Sequence, residues 1–398
     1  MRTRHTVFLL TIGCLLWQAI PALAEVGVTD NEILIGNPNV KSGDNSFSGL
    51  QTSIGLNTYI EQVNAAGGIN GRKIKIVPCD DKYTPDGAVQ CFDTLQKQGV
   101  FAISGLVGSG MLAKYKALAT NNKVPLVGCY SGPQFACDPV SPYVFTVRPG
   151  YQDEEHQLVD HLWKDTGLKK IAIIYQNDAY GADHLKGARD ELTKYNSDLV
   201  AAASYERNSL EIGEAFAKVK DSKPDAVSLA CNKNQCTKIV HSARAQGWNP
   251  LFFVNSGANV DGFLDQVGKE GEGVLVGETV PSPNRTDIPF IAKYRQALKQ
   301  YHPDAEPGYT NLKGYITGMV LCEGLKRGGK NLTREGFCKA LESIHNWDVG
   351  LGKGMEISYS PTDHSGMHKY VFGVVRGGDV VAVSDWKNLK NSAIAKKH

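Results

Sequence analysis

After its first 24 residues the chain has no apolar run of the roughly 20 residues that a membrane-spanning helix needs. Net charge is lacking too. Of 43 basic residues two, Arg2 and Arg4, lie in that leading segment, which leaves 41 against 41 acidic ones. A balanced surface gives nucleic acid or an anionic membrane no electrostatic footing. Catalytic signatures are also missing. No serine stands between glycines at −2 and +2, there is no His-Glu-x-x-His, and the glycine run Gly350 to Gly354 lacks the strand and helix of a dinucleotide site. His156 and His161 are one residue off the i,i+4 spacing that suits a shared metal, and no close cysteine pair has a histidine beside it. No metal or cofactor is expected.

The leading segment has its own logic. Arg2 and Arg4 precede the apolar run Val7 to Trp17, and Ala22-Leu23-Ala24 supplies a small-x-small cleavage pattern, so residues 1–24 read as a secretory signal peptide with Glu25 as the mature start. Cys14 is set aside as a lipid anchor, because Thr11 stands where a leucine is usual and the apolar run before it is short. Export places the other eight cysteines in an oxidising compartment. They fall into local couples separated by 12, 8, 5 and 16 residues. This spacing predicts disulfides Cys79–Cys91, Cys129–Cys137, Cys231–Cys236 and Cys322–Cys338, each closing a short loop.

From Glu32 onward, short β-branched runs alternate with stretches of helical period, the rhythm of an α/β fold with parallel sheets. At 398 residues the chain exceeds what one core serves, so two domains are expected. Phe101 to Ser104, a glycine-broken loop and then a helix to Asn121 put Ser109 and backbone N–H groups at a helix N-terminus, where partial positive charge collects. The next strand, Val124 to Val127, exits through Gly128-Cys129-Tyr130-Ser131-Gly132. After an extended segment, Val144 to Pro149, the pattern restarts with strands at Ile171, Ala201, Ala226 and Leu251, whose exits hold Asn232-Lys233-Asn234 and Asn255-Ser256-Gly257. In open α/β sheets ligands bind outside the carboxyl ends of strands. Helices are expected at Ile288–Tyr301, Tyr309–Lys326 and Thr333–Ile344, and antiparallel strands at Glu356–Tyr359 and Tyr370–Val383.

The stretch Val63-Asn64-Ala65-Ala66-Gly67-Gly68-Ile69-Asn70-Gly71-Arg72-Lys73-Ile74, with Asp80-Asp81, Pro85, Ala88-Val89 and the turn Asn177-Asp178-Ala179-Tyr180-Gly181, closely resembles the leucine/isoleucine/valine-binding family of periplasmic receptors for ABC transporters. The resemblance runs from about Ile33 to Val383. It implies two Rossmann-like lobes, each a parallel sheet flanked by helices, joined by a three-segment hinge. On that pattern residues 25–148 with 278–355 form one lobe and residues 149–277 with 356–390 the other, leaving 391–398 as a tail.

The resemblance also implies a site. Ser109 and Gly110 fall where the family holds a ligand carboxylate, Tyr130, Ser131 and Gly132 on the next contact loop, and Tyr151, Asn232 and Asn255-Ser256 on the second lobe. At that last position the amino-acid binders place a glutamate for the ligand's ammonium, and this chain has no acid between Ala226 and Ala258. Glu278, on the second crossing, is a candidate replacement or a hinge residue. Phe47 and Tyr151 are candidate walls for an apolar part of the ligand. The expected function is a monomeric exported receptor that binds a small carboxylate-bearing solute and serves an ABC permease and ATPase. A sensing protein that passes occupancy to a signalling partner is the alternative, and an enzyme is third.

Overall fold

The computed structural model describes residues 25–43 and 45–389. The signal-peptide segment, Cys14 and the tail from 391 lie outside these.

The first sheet is built from β1 (Glu32–Asn39), β2 (Lys73–Asp80), β3 (Ala102–Ser104), β4 (Leu126–Val127) and β5 (Val144–Phe145), in the order β2-β1-β3-β4-β5. All its pairings are parallel. Helices α1 (Ser46–Ala65), α2 (Pro85–Lys97) and α3 (Ser109–Asn121) connect its strands. Threonine and proline set the start of α2: Thr84 accepts a hydrogen bond from the N–H of Gly87 at 3.0 Å, and Pro85 occupies the first helical position, where no N–H is needed.

After β5 the chain crosses to a second unit. It contains α4 (Tyr151–His161), β6 (Ile171–Gln176), α5 (Ala179–Thr193), β7 (Ala201–Tyr205), α6 (Gly213–Asp221), β8 (Ala226–Ala230), α7 (Lys233–Ala245), β9 (Leu251–Val254), α8 (Val260–Val267) and β10 (Leu275–Glu278). Its parallel strands run β7-β6-β8-β9-β10, the same order as the first sheet, so both units reverse direction between their first and third strands. The turn expected at Asn177 to Gly181 is the start of α5: the carboxylate of Asp178 accepts from the N–H groups of Tyr180 and Gly181.

The chain then returns to the first unit as α9 (Pro289–Tyr301), α10 (Tyr309–Gly328) and α11 (Arg334–Glu342), and crosses a third time to add β11 (Val371–Arg376), antiparallel to β10, and β12 (Asp379–Ala382), antiparallel to β11. The strand expected at Glu356–Tyr359 does not form. Only isolated bridges, Trp347 to Ile357 and Ser360 to Asp363, occur there. Scattered backbone bonds, such as Tyr359 N–H to the Ile344 carbonyl at 2.8 Å, and side chains hold the segment: the Tyr359 hydroxyl donates to the Thr146 carbonyl at 2.8 Å, and His364 stacks on Phe145.

Two of the four expected disulfides are present, Cys79–Cys91 and Cys231–Cys236. Cys129, Cys137, Cys322 and Cys338 are free thiols, which corrects the other two pairings. The Cys129 and Cys137 sulfurs each meet an oxygen instead, the Ser131 carbonyl at 3.0 Å and the Thr146 hydroxyl at 3.3 Å. Cys322 and Cys338 are buried on α10 and α11 as small apolar side chains.

Glycine decides how closely α1 and α10 pack. A Cβ at Gly55 would lie 1.8 Å from the carbonyl oxygen of Asn311, and one at Gly314 would lie 2.2 Å from that of Thr52. Neither backbone oxygen can swing aside as a side chain would. Gly55→Ala is therefore expected to lower stability by about 1–3 kcal/mol, the usual cost of overpacking. Denaturant unfolding measures it, and a loss well under 1 kcal/mol would show that the helices part without strain.

Candidate functional site

The strand exits of the two sheets meet around one small cavity, about 240 Å³ with its mouth included. From the first unit come Asn45, after β1, Tyr83, after β2, Ser109 at the start of α3, and Tyr130 and Ser131, after β4. The facing wall comes from Tyr151 and Tyr180, at the starts of α4 and α5, with Asn232 and Gly257. All four tyrosines are buried.

Local backbone geometry aims these groups. Lys82 and Tyr83 both adopt left-handed conformations, φ 55° and 57°. Asp81 holds that turn by accepting the Tyr83 N–H at 3.0 Å. Gly108 also has positive φ, 102°, and a Cβ there would come 2.6 Å from the Tyr83 ring, so only glycine lets ring and helix start approach. The Gly108 N–H donates to the Ser131 hydroxyl at 2.8 Å, which ties the two exit loops together.

The start of α3 differs from those of α2, α5, α8 and α11. Each of these has a side chain capping its first turn, whereas α3, like α1, α4 and α7, has none. Its leading N–H groups therefore lack both an intrahelical partner and a capping oxygen. Ser109, only 2% exposed, lines the cavity with a hydroxyl that has no hydrogen-bond partner. Buried polar atoms are nearly always satisfied, so this group is poised for an acceptor or donor from outside the chain.

Behind the tyrosines lies a layer of buried charge. Arg148, on the first crossing, donates to the Tyr130 carbonyl at 3.1 Å and the Ser256 hydroxyl at 2.5 Å, and its guanidinium stacks 4.5 Å from the Tyr151 ring centre. Glu154 accepts from the Ser256 N–H at 2.8 Å and the Ser256 hydroxyl at 2.7 Å. The Lys313 ammonium, on α10, pairs with Glu278 at 2.5 Å and lies 5.0 Å from the Tyr130 ring centre. Burial pushes Glu278 up to about 7, against the opposing pull of Lys313.

Ser109, Tyr130, Ser131, Tyr151 and Asn232 thus converge on the cavity, and Gly110 and Gly132 flank it. Asn255 and Ser256 stand one layer back. Asn255 accepts the Tyr180 hydroxyl at 2.5 Å, and Ser256 bridges Arg148 and Glu154. Glu278 faces an ammonium from this chain, that of Lys313. Phe47 lies apart, on a larger acidic groove that it shares with Asp261, Asp265 and Tyr309, where Lys233 approaches its ring. Sequence reasoning passed over Asn45, Tyr83, Tyr180, Arg148 and Lys313. Tyr83 and Tyr180 follow the carboxyl ends of β2 and β6, so the strand-exit rule reaches both.

Beneath Tyr151 and Tyr180 a second buried cluster supports the wall. Glu155 accepts from Ser228 at 2.7 Å and meets His184 at 2.9 Å, and His184 packs 4.5 Å from the Tyr151 ring centre. Burial pushes Glu155 up to about 8 and His184 down to about 4, so both are neutral at pH 7.

A sequence profile of the periplasmic binding protein family matches residues 32–379. A Leu/Ile/Val-binding protein homolog 7 from Brucella suis is 22% identical over 86% of this chain and 86% of its own length. Two solved structures share the fold. A possible leucine/isoleucine/valine-binding protein from Rhodopirellula baltica has a TM-score of 0.85 at 23% identity and covers 92% of this chain and 100% of that one. A fatty acid ABC transporter substrate-binding protein from Thermomonospora curvata has a TM-score of 0.82 at 22% identity, covering 91% and 94%.

The buried cluster has a pH signature. Below pH 6.5 the two groups oppose each other, because unfolding lets His184 gain a proton and Glu155 lose one. Above 6.5 only the carboxyl differs: the folded chain keeps a proton that the unfolded chain has released, so stability falls as pH rises towards 8. Glu155→Gln should flatten that fall. Thermal melts between pH 6.5 and 8 test it, and equal slopes in both proteins would mean that Glu155 is ionised in the fold.

Proposed function

The chain belongs to the periplasmic binding protein family, and from that premise we propose that it is an exported receptor of an ABC importer. It binds a small carboxylate-bearing solute between its two units and presents it to a membrane permease and ATPase. The observation that carries this reading is Ser109: a buried, unpartnered hydroxyl at a site-facing helix start that no side chain caps, with the tyrosines of the second unit opposite. Backbone N–H groups, the partial positive charge of the helix start and one hydroxyl suit a carboxylate. Relatives named for branched-chain amino acids and for fatty acid both fit this, since either ligand ends in a carboxylate. A thermal-shift screen of amino acids, aromatic acids, dicarboxylates and amides finds the solutes that bind, because ligands specific to the native state raise its melting temperature. For the tightest carboxylate among them, Ser109→Ala should weaken binding by about 1–3 kcal/mol in titration calorimetry. Unchanged affinity would move the carboxylate seat elsewhere.

Capture works by closure, with hinges at the three crossings near residues 146–150, 279–283 and 365–370. The contacts that join the units support this. Asn259 donates to Ser48 at 3.0 Å, and the Gln134 N–H donates to Asp183 at 3.0 Å. On α8, Asp261 accepts the N–H groups of Tyr309 and Thr310, both at 2.8 Å, and so caps α10 from the other unit. Gly308 leaves room for it, since a Cβ there would come 2.8 Å from the carboxylate. These bonds exist only while the units are together, and a ligand that binds the closed form shifts the population toward it. Asp261→Asn should therefore raise the ligand Kd a few-fold, by about 0.5–1 kcal/mol, without touching the ligand. An unchanged Kd would show that this contact does not hold the closed form.

A further inference from the structure

We propose that the solute is a planar aromatic carboxylic acid that carries no ammonium group. The inference rests on the receptor reading above and adds the class of solute. An amino acid would bring two charges into the cavity, and its buried ammonium would need a carboxylate within reach. Among the described residues no acidic side chain lines the cavity. The buried carboxylates around it lie outside the cavity lining and engage the protein's own groups: Glu154 meets Ser256, and one oxygen each of Glu278 and Glu155 meets Lys313 and the Ser228–His184 pair. Asp178 caps α5 and faces Arg207 at 3.8 Å.

The charges nearest the cavity wall point the same way. Arg148 lies on the Tyr151 ring and Lys313 on the Tyr130 ring. Two rings that form the wall therefore already balance cations of the protein. A further cation beside them would meet repulsion, whereas an anion gains from both. What remains for the body of the ligand is flat and apolar: Tyr83, Tyr130, Tyr151 and Tyr180, each no more than 6% exposed, with Tyr151 and Tyr180 edge to face at 5.2 Å. A planar ring suits such walls, which it would meet as the two units close on it.

A matched series tests this on the mature chain stripped of carried solute. 3-Phenylpropanoate and phenylalanine differ only by the ammonium group, and 3-phenylpropanamide removes the carboxylate charge; benzoate and leucine extend the set. Calorimetry should show the ammonium-free acids binding about 100-fold more tightly than phenylalanine or leucine, the scale of an uncompensated buried charge. If either amino acid binds as tightly as the acids, the inference fails and the carboxylate receptor stands. If the amide matches the acid, both fail; if no compound in the series binds, the inference fails while the carboxylate receptor is judged by the wider screen. Asn232→Asp puts an acid into the cavity wall with almost no change of shape. It should cost the acids at least about tenfold in affinity and narrow their lead over phenylalanine. An unchanged lead in a variant with native circular dichroism would overturn the placement of the ligand in this cavity.

Discussion

One guanidinium underlies the arrangement. Arg148 cannot shed its charge, so its burial at 5% exposure requires partners on every side. It finds them in both units: the Tyr130 carbonyl from the first, the Ser256 hydroxyl from the second, and the face of Tyr151 between them. Ser256 is held by Glu154, and the Tyr370 hydroxyl on the third crossing donates to the carbonyls of Pro149 and Gly150, the two residues after Arg148. Satisfying this one cation fixes where two cavity tyrosines stand and keeps the crossings in register with the site.

The cavity follows from the two sheets as much as from its own residues. Each sheet reverses direction between its first and third strands, and in each the loops at the carboxyl ends are free to diverge because the strands carry the packing. When two such sheets face each other, their loops make one site with two walls. The walls differ in kind. The first adds hydrogen-bond donors at the start of α3 to the rings of Tyr83 and Tyr130, while the second offers the rings of Tyr151 and Tyr180 braced by a neutral Glu155–His184 pair. On the proposed reading, donors and rings set on facing walls would give orientation to a small solute.

Much of this was legible in the sequence, for identifiable reasons. Strand and helix periods located both sheets, and the strand-exit rule reached Ser109, Tyr130, Ser131 and Asn232. The strand-exit rule reaches Tyr83 as well, but its aim into the cavity comes from consecutive left-handed residues and an Asp81 hydrogen bond, which leave no periodic trace. Phe47 lies apart from the cavity because α1 begins at Ser46 and carries it onto a helix face beside the acidic groove. Pairing by sequence proximity found Cys79–Cys91 and Cys231–Cys236 but could not see that Cys129 and Cys137 turn toward oxygens. The contact of Lys313 with Glu278 joins a helix of the first unit to the second crossing, a meeting that only the folded chain reveals.

The central claim is that the two walls come together as a solute binds. Small-angle X-ray scattering of the mature chain, with and without a saturating carboxylate that raises its melting temperature, measures this directly. The radius of gyration should fall on addition of the solute as the units close, with no change in molecular mass. Identical scattering curves at full saturation would contradict the account, because the site would then be complete without closure.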